Sequence, residues 1–229
     1  MSTQGRRSVN DGFDYIQAPL GPEIGGMLWK ATDVLMCALG KKYNKEFWRG
    51  KRVLELGAGL GFAGVDLARL GAHVMLTDME DELPRLRRAI GAQLGDDAAE
   101  IGTGWTLTSG GKVDTKALYW STEGWGRFMQ DQDLGTPYDI IVVVECYYDE
   151  NDFPSLAEII QCCITPGHTV AWSCFANRPF SWSFFQILAE ETDVVVEQVD
   201  EFDALSMEDV HIHKLTRHLP PNPEPEYVK

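Results

Sequence analysis

The sequence predicts an α/β protein built on a doubly wound, Rossmann-like sheet of seven strands, mostly parallel, with an antiparallel strand at one edge. Three stretches carry that expectation. Val53-Leu54-Glu55-Leu56-Gly57-Ala58-Gly59-Leu60-Gly61 is a short apolar strand that runs into glycines at alternate positions, and residues 62–70 continue with apolar side chains at helical spacing. Tyr138-Asp139-Ile140-Ile141-Val142-Val143-Val144-Glu145 holds five consecutive β-branched residues. Without alternation, such a run is a central parallel strand buried on both faces. Residues 194–199 and 210–215 are both strand-like with no helix between them, so they pair as an antiparallel ribbon at a sheet edge.

Composition bounds the function. The chain has 229 residues, 44% of them hydrophobic, enough for a full core. A net charge of −15 speaks against binding along a nucleic-acid backbone, which needs a basic footprint, and is compatible with a basic protein partner. The five cysteines form no framework and read as free thiols of a reducing compartment, the cytoplasm, with the nucleus also open. Cysteine and histidine are not spaced to hold zinc. Residues 1–10 lack the apolar centre of a signal peptide, and no run approaches the about 20 apolar residues of a membrane span. Neither repeats nor an internal boundary are visible. The chain divides into a flexible arm over residues 1–23, one domain over 24–218 and a Pro-rich tail over 219–229, with a monomer as the default state.

In chain order, Gly25-Gly26 precedes a helix with Leu28, Ala31, Leu35 and Leu39 at helical spacing, ending at Gly40. Residues 41–51 form a polar connector with Phe47 and Trp48 tucked in. After the first strand and helix, Gly71 stops the chain, and residues 73–78 make the second strand. Leu83, Leu86 and Ile90 stripe the next helix, with Arg85, Arg87 and Arg88 facing solvent. Residues 91–111 read as a loop with one short strand or hairpin, and residues 116–120 as the end of the third strand. Past the central strand, Asn151-Asp152 caps a helix with Pro154 in its first turn. Residues 169–174 form the fifth strand, residues 175–180 a loop around Arg178, and residues 181–190 a helix. His211 and His213 lie on one strand face, where a structural role outweighs a metal pair lacking a third ligand.

The chemistry gathers at the carboxyl ends of strands, where open α/β sheets bind ligands. Gly59-x-Gly61-x-x-Gly64 satisfies a dinucleotide pattern, but it begins two residues late, because Gly57 already ends the strand. Glu55 discriminates. A carboxylate there repels a pyrophosphate and attracts a cofactor with a cationic amino-acid end, which favours S-adenosylmethionine over NAD. Asp78, twenty-one residues past Gly57, is placed to accept ribose hydroxyls or to cap the next helix. Met79 can pack on adenine, as can Trp120. Trp29 is either a core residue or a cap over the pocket. Glu145 and Tyr148 follow the central strand and face the switch-point crevice.

Gly26-x-x-Trp29, Glu55-Leu56-Gly57-Ala58-Gly59-x-Gly61, Thr77-Asp78, Leu118-x-Trp120 and Glu145-x-x-Tyr148 occur in that order. Together they resemble the class I seven-strand methyltransferases, and within them methyltransferase family 16, the methyltransferase-like 21 type of protein-lysine methyltransferases, over residues 24–216. Glu145 stands where most relatives carry aspartate. The resemblance implies S-adenosylmethionine as cofactor and a lysine-bearing protein as substrate; the acidic charge and the lack of a long apolar run lead to the expectation of no nucleic acid and no membrane partner. The resemblance also implies that Gly57, Ala58, Gly59 and Gly61 pass beside the methionine portion, Glu55 holds its ammonium, Asp78 binds the ribose, Trp120 and Val144 line the pocket, Trp29 closes over it, and Glu145 and Tyr148 present the acceptor amine. Two alternatives stay open. One is a different acceptor, such as histidine, arginine, a protein N-terminus or a small molecule. The other is a non-catalytic binding module or an NAD-dependent protein, although neither Tyr-x-x-x-Lys nor a His/Asp relay is present. Whether Glu145 removes the amine's proton or only orients the amine is left open by the residues themselves.

Overall fold

The computed structural model describes residues 30–130, 136–178, 180–199 and 210–219, with the backbone of two strands nearer the N-terminus. Those two, β1 (Arg6–Val9) and β2 (Phe13–Ile16), pair antiparallel as a separate hairpin within the stretch that the sequence suggests is an arm. Trp29, Gly25 and Gly26 lie outside the described residues, as does most of the Pro-rich tail.

Helix α1 (Lys30–Lys42) runs through Gly40 rather than stopping there, because Leu35, Met36 and Leu39 are fully buried and tertiary packing outweighs one glycine's propensity. The expected connector holds a short helix, α2 (Lys45–Trp48), whose N-cap Asn44 accepts a hydrogen bond from the Phe47 N–H at 3.0 Å. Strand β3 (Arg52–Leu56), α3 (Phe62–Arg69), β4 (His73–Asp78) and α4 (Leu83–Leu94) then follow as read from the sequence.

The sheet has nine strands, not seven. The two extra strands, β5 (Ala98–Ile101) and β6 (Gly104–Leu107), form a hairpin that pairs antiparallel with β7 (Lys112–Ala117). Of the short strand or hairpin expected in this stretch, the structure shows the hairpin, anchored by Trp105 and Leu107. Trp105 is 7% exposed and lies under the Arg87 guanidinium. Arg87 therefore is not a solvent-facing cation; it also ion-pairs with Glu100 of the hairpin.

After α5 (Thr122–Gln130) come β8 (Ile140–Val144), α6 (Phe153–Cys163), β9 (Val170–Ala176), α7 (Ser181–Glu191), β10 (Val194–Gln198) and β11 (Val210–Arg217). The strand order is β10-β11-β9-β8-β3-β4-β7-β6-β5. Strands β7, β4, β3, β8 and β9 are parallel, and β11 runs antiparallel to both its neighbours, as the C-terminal ribbon predicts. Helix α6 does not use Asn151-Asp152 as a side-chain cap. A short helical turn over Glu150–Asp152 precedes it, and Asp149 accepts the Asn151 N–H at 3.0 Å. Pro154 is in the first turn, as expected.

Two apolar layers cover the two sheet faces. One gathers α1, α3 and α4, with Trp48 and Trp172 among its buried members; the other gathers α6 and α7 around Tyr147, Phe153, Phe175 and Phe184. The chain leaves β3 toward β4 and later returns to β8 on the other side. The carboxyl ends of β3 and β8 therefore flank the point where winding reverses, and a crevice opens there.

Candidate active site

The floor of that crevice is the glycine turn after β3. Gly57 has φ +59°, and a Cβ on it would lie 2.8 Å from Cys146 Sγ and 3.3 Å from the Trp120 ring. Only a residue without a side chain lets this turn approach the ends of β8 and the β7–α5 loop so closely. A second close approach occurs one turn into α3. A Cβ on Gly64 would lie 2.2 Å from Leu76 and 2.7 Å from Glu55 Oε2, so this glycine sets the helix against β3 and β4.

Around the turn lies a cavity of ≈ 830 Å³, within the size range of small-molecule sites. Its walls contain Glu55, Gly57, Ala58, Gly59, Gly61, Asp78, Met79, Trp120, Val144, Glu145 and Tyr148, so every site residue named from the sequence that lies among the described residues converges here.

The carboxyl groups differ in state. Glu55 is 4% exposed, and its Oε2 accepts the Gly64 N–H at 2.8 Å. Burial outweighs that bond and pushes its pKa up to about 8. A neutral carboxyl does not repel a phosphate, so the charge argument for Glu55 acts only once a cation arrives and draws the proton off. Asp78 spends one bond from each oxygen on the turn: Oδ2 accepts the Gly59 N–H at 2.8 Å and Oδ1 the Met79 N–H at 2.9 Å. It caps no helix, because α4 starts at Leu83. Burial raises its pKa, and those two N–H donors oppose the rise. Each oxygen keeps a second lone pair for a hydroxyl of a ligand.

Glu145 follows β8 in a left-handed conformation, φ +56°, the one positive-φ residue other than glycine among those described. Strain at a functional position persists where the surroundings over-determine it. Here the Glu145 N–H donates to the Cys174 carbonyl at 2.9 Å, which prolongs the β8–β9 ladder. The turn divides the two tyrosines that follow. Tyr147 is fully buried, with its hydroxyl 2.6 Å from Ser173 Oγ, whereas Tyr148 stands 41% exposed in the cavity wall. Partial burial pushes the Tyr148 pKa up to about 12, so its hydroxyl stays protonated. Cys146 donates its S–H to the Leu56 carbonyl at 3.3 Å, and burial pushes its thiol up, which leaves it no nucleophile.

The structure adds residues that sequence reasoning missed. Arg85 lines the cavity beside its ion-pair partner Glu82 and does not simply face solvent. Thr32 of α1, Tyr119 and Ser155 also line it. Tyr119 could have been found from its place at the end of β7; nothing local marks Thr32. Arg178, read from the sequence only as part of the loop after the fifth strand, donates to Glu145 at 2.6 Å. Among the described residues no group of three histidine, cysteine or acidic side chains is placed to hold a metal ion, and no helix is long and apolar enough to cross a membrane.

This constellation fits a nucleoside that carries a cationic amino-acid tail. Asp78 offers acceptors for hydroxyls, Trp120 and Met79 offer apolar faces, and the glycine turn with Glu55 offers a close, acid-backed wall. Known proteins agree with that reading. A family model described as lysine methyltransferase matches residues 14–191. The chain is 24% identical to the EEF1A lysine methyltransferase 3 of Xenopus tropicalis, over 85% of this chain and 76% of that protein. It is 26% identical to the protein N-lysine methyltransferase METTL21A of Danio rerio, over 85% and 78% respectively. Among solved structures, it matches the T. thermophilus 16S rRNA N2 G1207 methyltransferase in complex with AdoMet and guanosine. There the TM-score is 0.56 with 18% identity, over 84% of this chain and 44% of that one, a likeness of fold.

Proposed function

We propose, for a chain that belongs to the lysine methyltransferase family, that the β3–β8 crevice binds S-adenosylmethionine and presents to it the side-chain amine of a protein lysine. The protein is an S-adenosylmethionine-dependent methyltransferase of the protein-lysine type; the residue roles are our reading. The observation that carries it is the convergence of Asp78, the glycine turn and Trp120 with Glu145 and Tyr148 in one cavity.

When bound, the cofactor supplies an electrophilic methyl group on a sulfonium. Asp78 holds the ribose hydroxyls through its remaining lone pairs. Gly57, Ala58, Gly59 and Gly61 let the backbone run beside the amino-acid portion, and Glu55 balances the ammonium by giving up its proton. Trp120, Met79 and Val144 enclose the apolar parts, with Trp29 as the covering residue. On the acceptor side, Glu145 and Tyr148 orient the amine. Orientation matters because methyl transfer is an in-line displacement, and correct alignment supplies several kcal/mol of the barrier reduction. The aromatic ring of Tyr148 also favours a cationic group at the mouth.

The acids at that mouth, Asp152 in the cavity wall and Asp149 close enough to act on Tyr148, support a basic segment as the stretch around the lysine. Five free cysteines, four of them buried, support a reducing compartment, the cytoplasm or the nucleus. We take the protein as a monomer acting without nucleic acid.

The test is calorimetric binding of S-adenosylhomocysteine and, separately, NAD, followed by transfer of labelled methyl groups into a cell extract and amino-acid analysis of the hydrolysed protein. The expected result is binding of S-adenosylhomocysteine alone and label in methyl-lysine. Label in arginine or histidine instead would move the acceptor, and binding of NAD alone would overturn the cofactor assignment.

A further inference from the structure

Both oxygens of Glu145 are taken up by fixed donors, one at the end of β9 and one in the loop that follows. The Ala176 N–H donates to Oε1 at 2.8 Å, and Arg178 Nη2 donates to Oε2 at 2.6 Å. The Glu145 side chain is 2% exposed and the Arg178 side chain 22%. Arg178 is itself anchored, since its backbone N–H donates to Ser181 Oγ at the start of α7. The left-handed backbone at Glu145 turns the carboxylate out of the β8 alternation toward this loop.

We infer that Arg178 is a positioning residue for methyl transfer, which holds Glu145 as a fixed charge that orients the acceptor amine and withdraws it from service as a proton acceptor. The inference rests on the lysine reading above. Each Glu145 oxygen keeps a second lone pair, but a proton taken there would cancel the charge that both donors face and leave the part-buried Arg178 guanidinium against a neutral acid. The amine's proton therefore goes to water at the mouth beside Tyr148. The nitrogen–methyl bond then forms as the methyl–sulfur bond breaks, with the electron pair staying on sulfur. Arg178 also sets the pH at which the amine is ready. A lone carboxylate would hold the acceptor as ammonium; a carboxylate balanced by a guanidinium holds it less firmly, and the neutral amine forms at lower pH.

Other groups bear on the same point. The Cys146 and Tyr148 side chains and the more distant Asp78, Glu55 and Asp152 share the cavity, while Tyr147 and Cys174 lie behind Glu145 in the core. Asp78 and Asp152 add negative potential, Glu55 is neutral below about 8, and Arg85 on the cavity wall is paired with Glu82, so Arg178 is the cation in contact with Glu145 whose removal leaves that carboxylate uncompensated.

The experiment compares wild type with R178Q, R178K and E145Q. The readouts are initial rates of methyl-lysine formation in cell extract from pH 6 to 9.5, S-adenosylhomocysteine affinity, thermal unfolding, and the nitrogen-15 guanidinium resonance of Arg178 in the unliganded protein. R178Q is expected to lose about tenfold in rate at pH 7 and to move the pH midpoint of the rate up by about one unit, with cofactor-product affinity within about twofold. R178K keeps the charge and is expected to hold the midpoint near wild type at an intermediate rate. E145Q is expected to move the midpoint down and to shift the Arg178 resonance. If Glu145 were the base, freeing it from Arg178 would speed the reaction, so an R178Q rate equal to or above wild type overturns the inference. So does an R178Q or R178K profile in which rate and cofactor affinity fall together with the midpoint unmoved. Absence of methyl-lysine with wild type would instead overturn the lysine reading, and this inference with it.

Discussion

Glu55 and Glu145 are both buried acids of one cavity, yet their partners give them opposite work. Glu55 has a single backbone donor, from Gly64, and its carboxyl is neutral below about 8. A cationic ligand end favours its ionised form, so binding releases a proton. The sign follows: affinity for S-adenosylhomocysteine should rise as pH rises from 6 to 8 and level off above. E55Q should flatten that slope, as calorimetry in buffers of different ionisation enthalpy can show. A wild-type affinity that falls over this range would contradict the assignment. Glu145 by contrast is held by two donors. E145A and Y148F should lower turnover on the order of a hundredfold for the first, through lost alignment, and less for the second, while S-adenosylhomocysteine affinity changes little. Unchanged turnover in both purified variants would remove these residues from the acceptor site.

At the scale of elements, the site depends on how tightly α3 lies on β3 and β4. Gly64 sits inside that helix, where alanine would ordinarily stabilise by up to about 1 kcal/mol. Here an added Cβ would stand 2.2 Å from Leu76 and 2.7 Å from Glu55 Oε2, and overpacking of this kind costs about 1–3 kcal/mol. The steric term wins, so G64A should destabilise the protein in urea unfolding and also weaken cofactor-product binding by disturbing Glu55. A stabilised G64A would show that α3 can shift without cost. The C-terminal ribbon is fixed by a different device. Arg217 of β11 donates to both oxygens of Asp193 and to the carbonyls of Gln161 and Ile164 at the end of α6, so one side chain satisfies helix-end acceptors and ties β11 to α6.

For the molecule as a whole, a charge of −15 and an acidic rim at the cavity mouth make association with a basic segment sensitive to salt. Methyl transfer to the protein acceptor should slow several-fold between low and about 0.5 M salt, while S-adenosylhomocysteine affinity holds. Equal loss of both would place the salt effect in the cofactor pocket instead. Bound cofactor product should also raise the unfolding midpoint, by about 2.7 kcal/mol of linkage at a hundred times its dissociation constant.

Much of this was legible in the sequence. The run of β-branched residues at 140–144, the alternate glycines after Leu56, and Asp78 at the end of β4 are local patterns, and local patterns report strand, turn and the end of the sheet they serve. Composition reads residues 91–111 as a loop with one short strand or hairpin; that a hairpin over 98–107 extends the sheet on β7, with Trp105 under Arg87 of α4, was set by contacts distant in the chain. Periodicity could not place Arg85 in the cavity, since a helix stripe gives a face but not what stands opposite. The state of Glu55 and the pairing of Glu145 with Arg178, thirty-three residues on, were decided by tertiary structure alone. Burial and an ion partner are properties of surroundings, and these surroundings come from strands that are distant in the chain and adjacent only in the sheet.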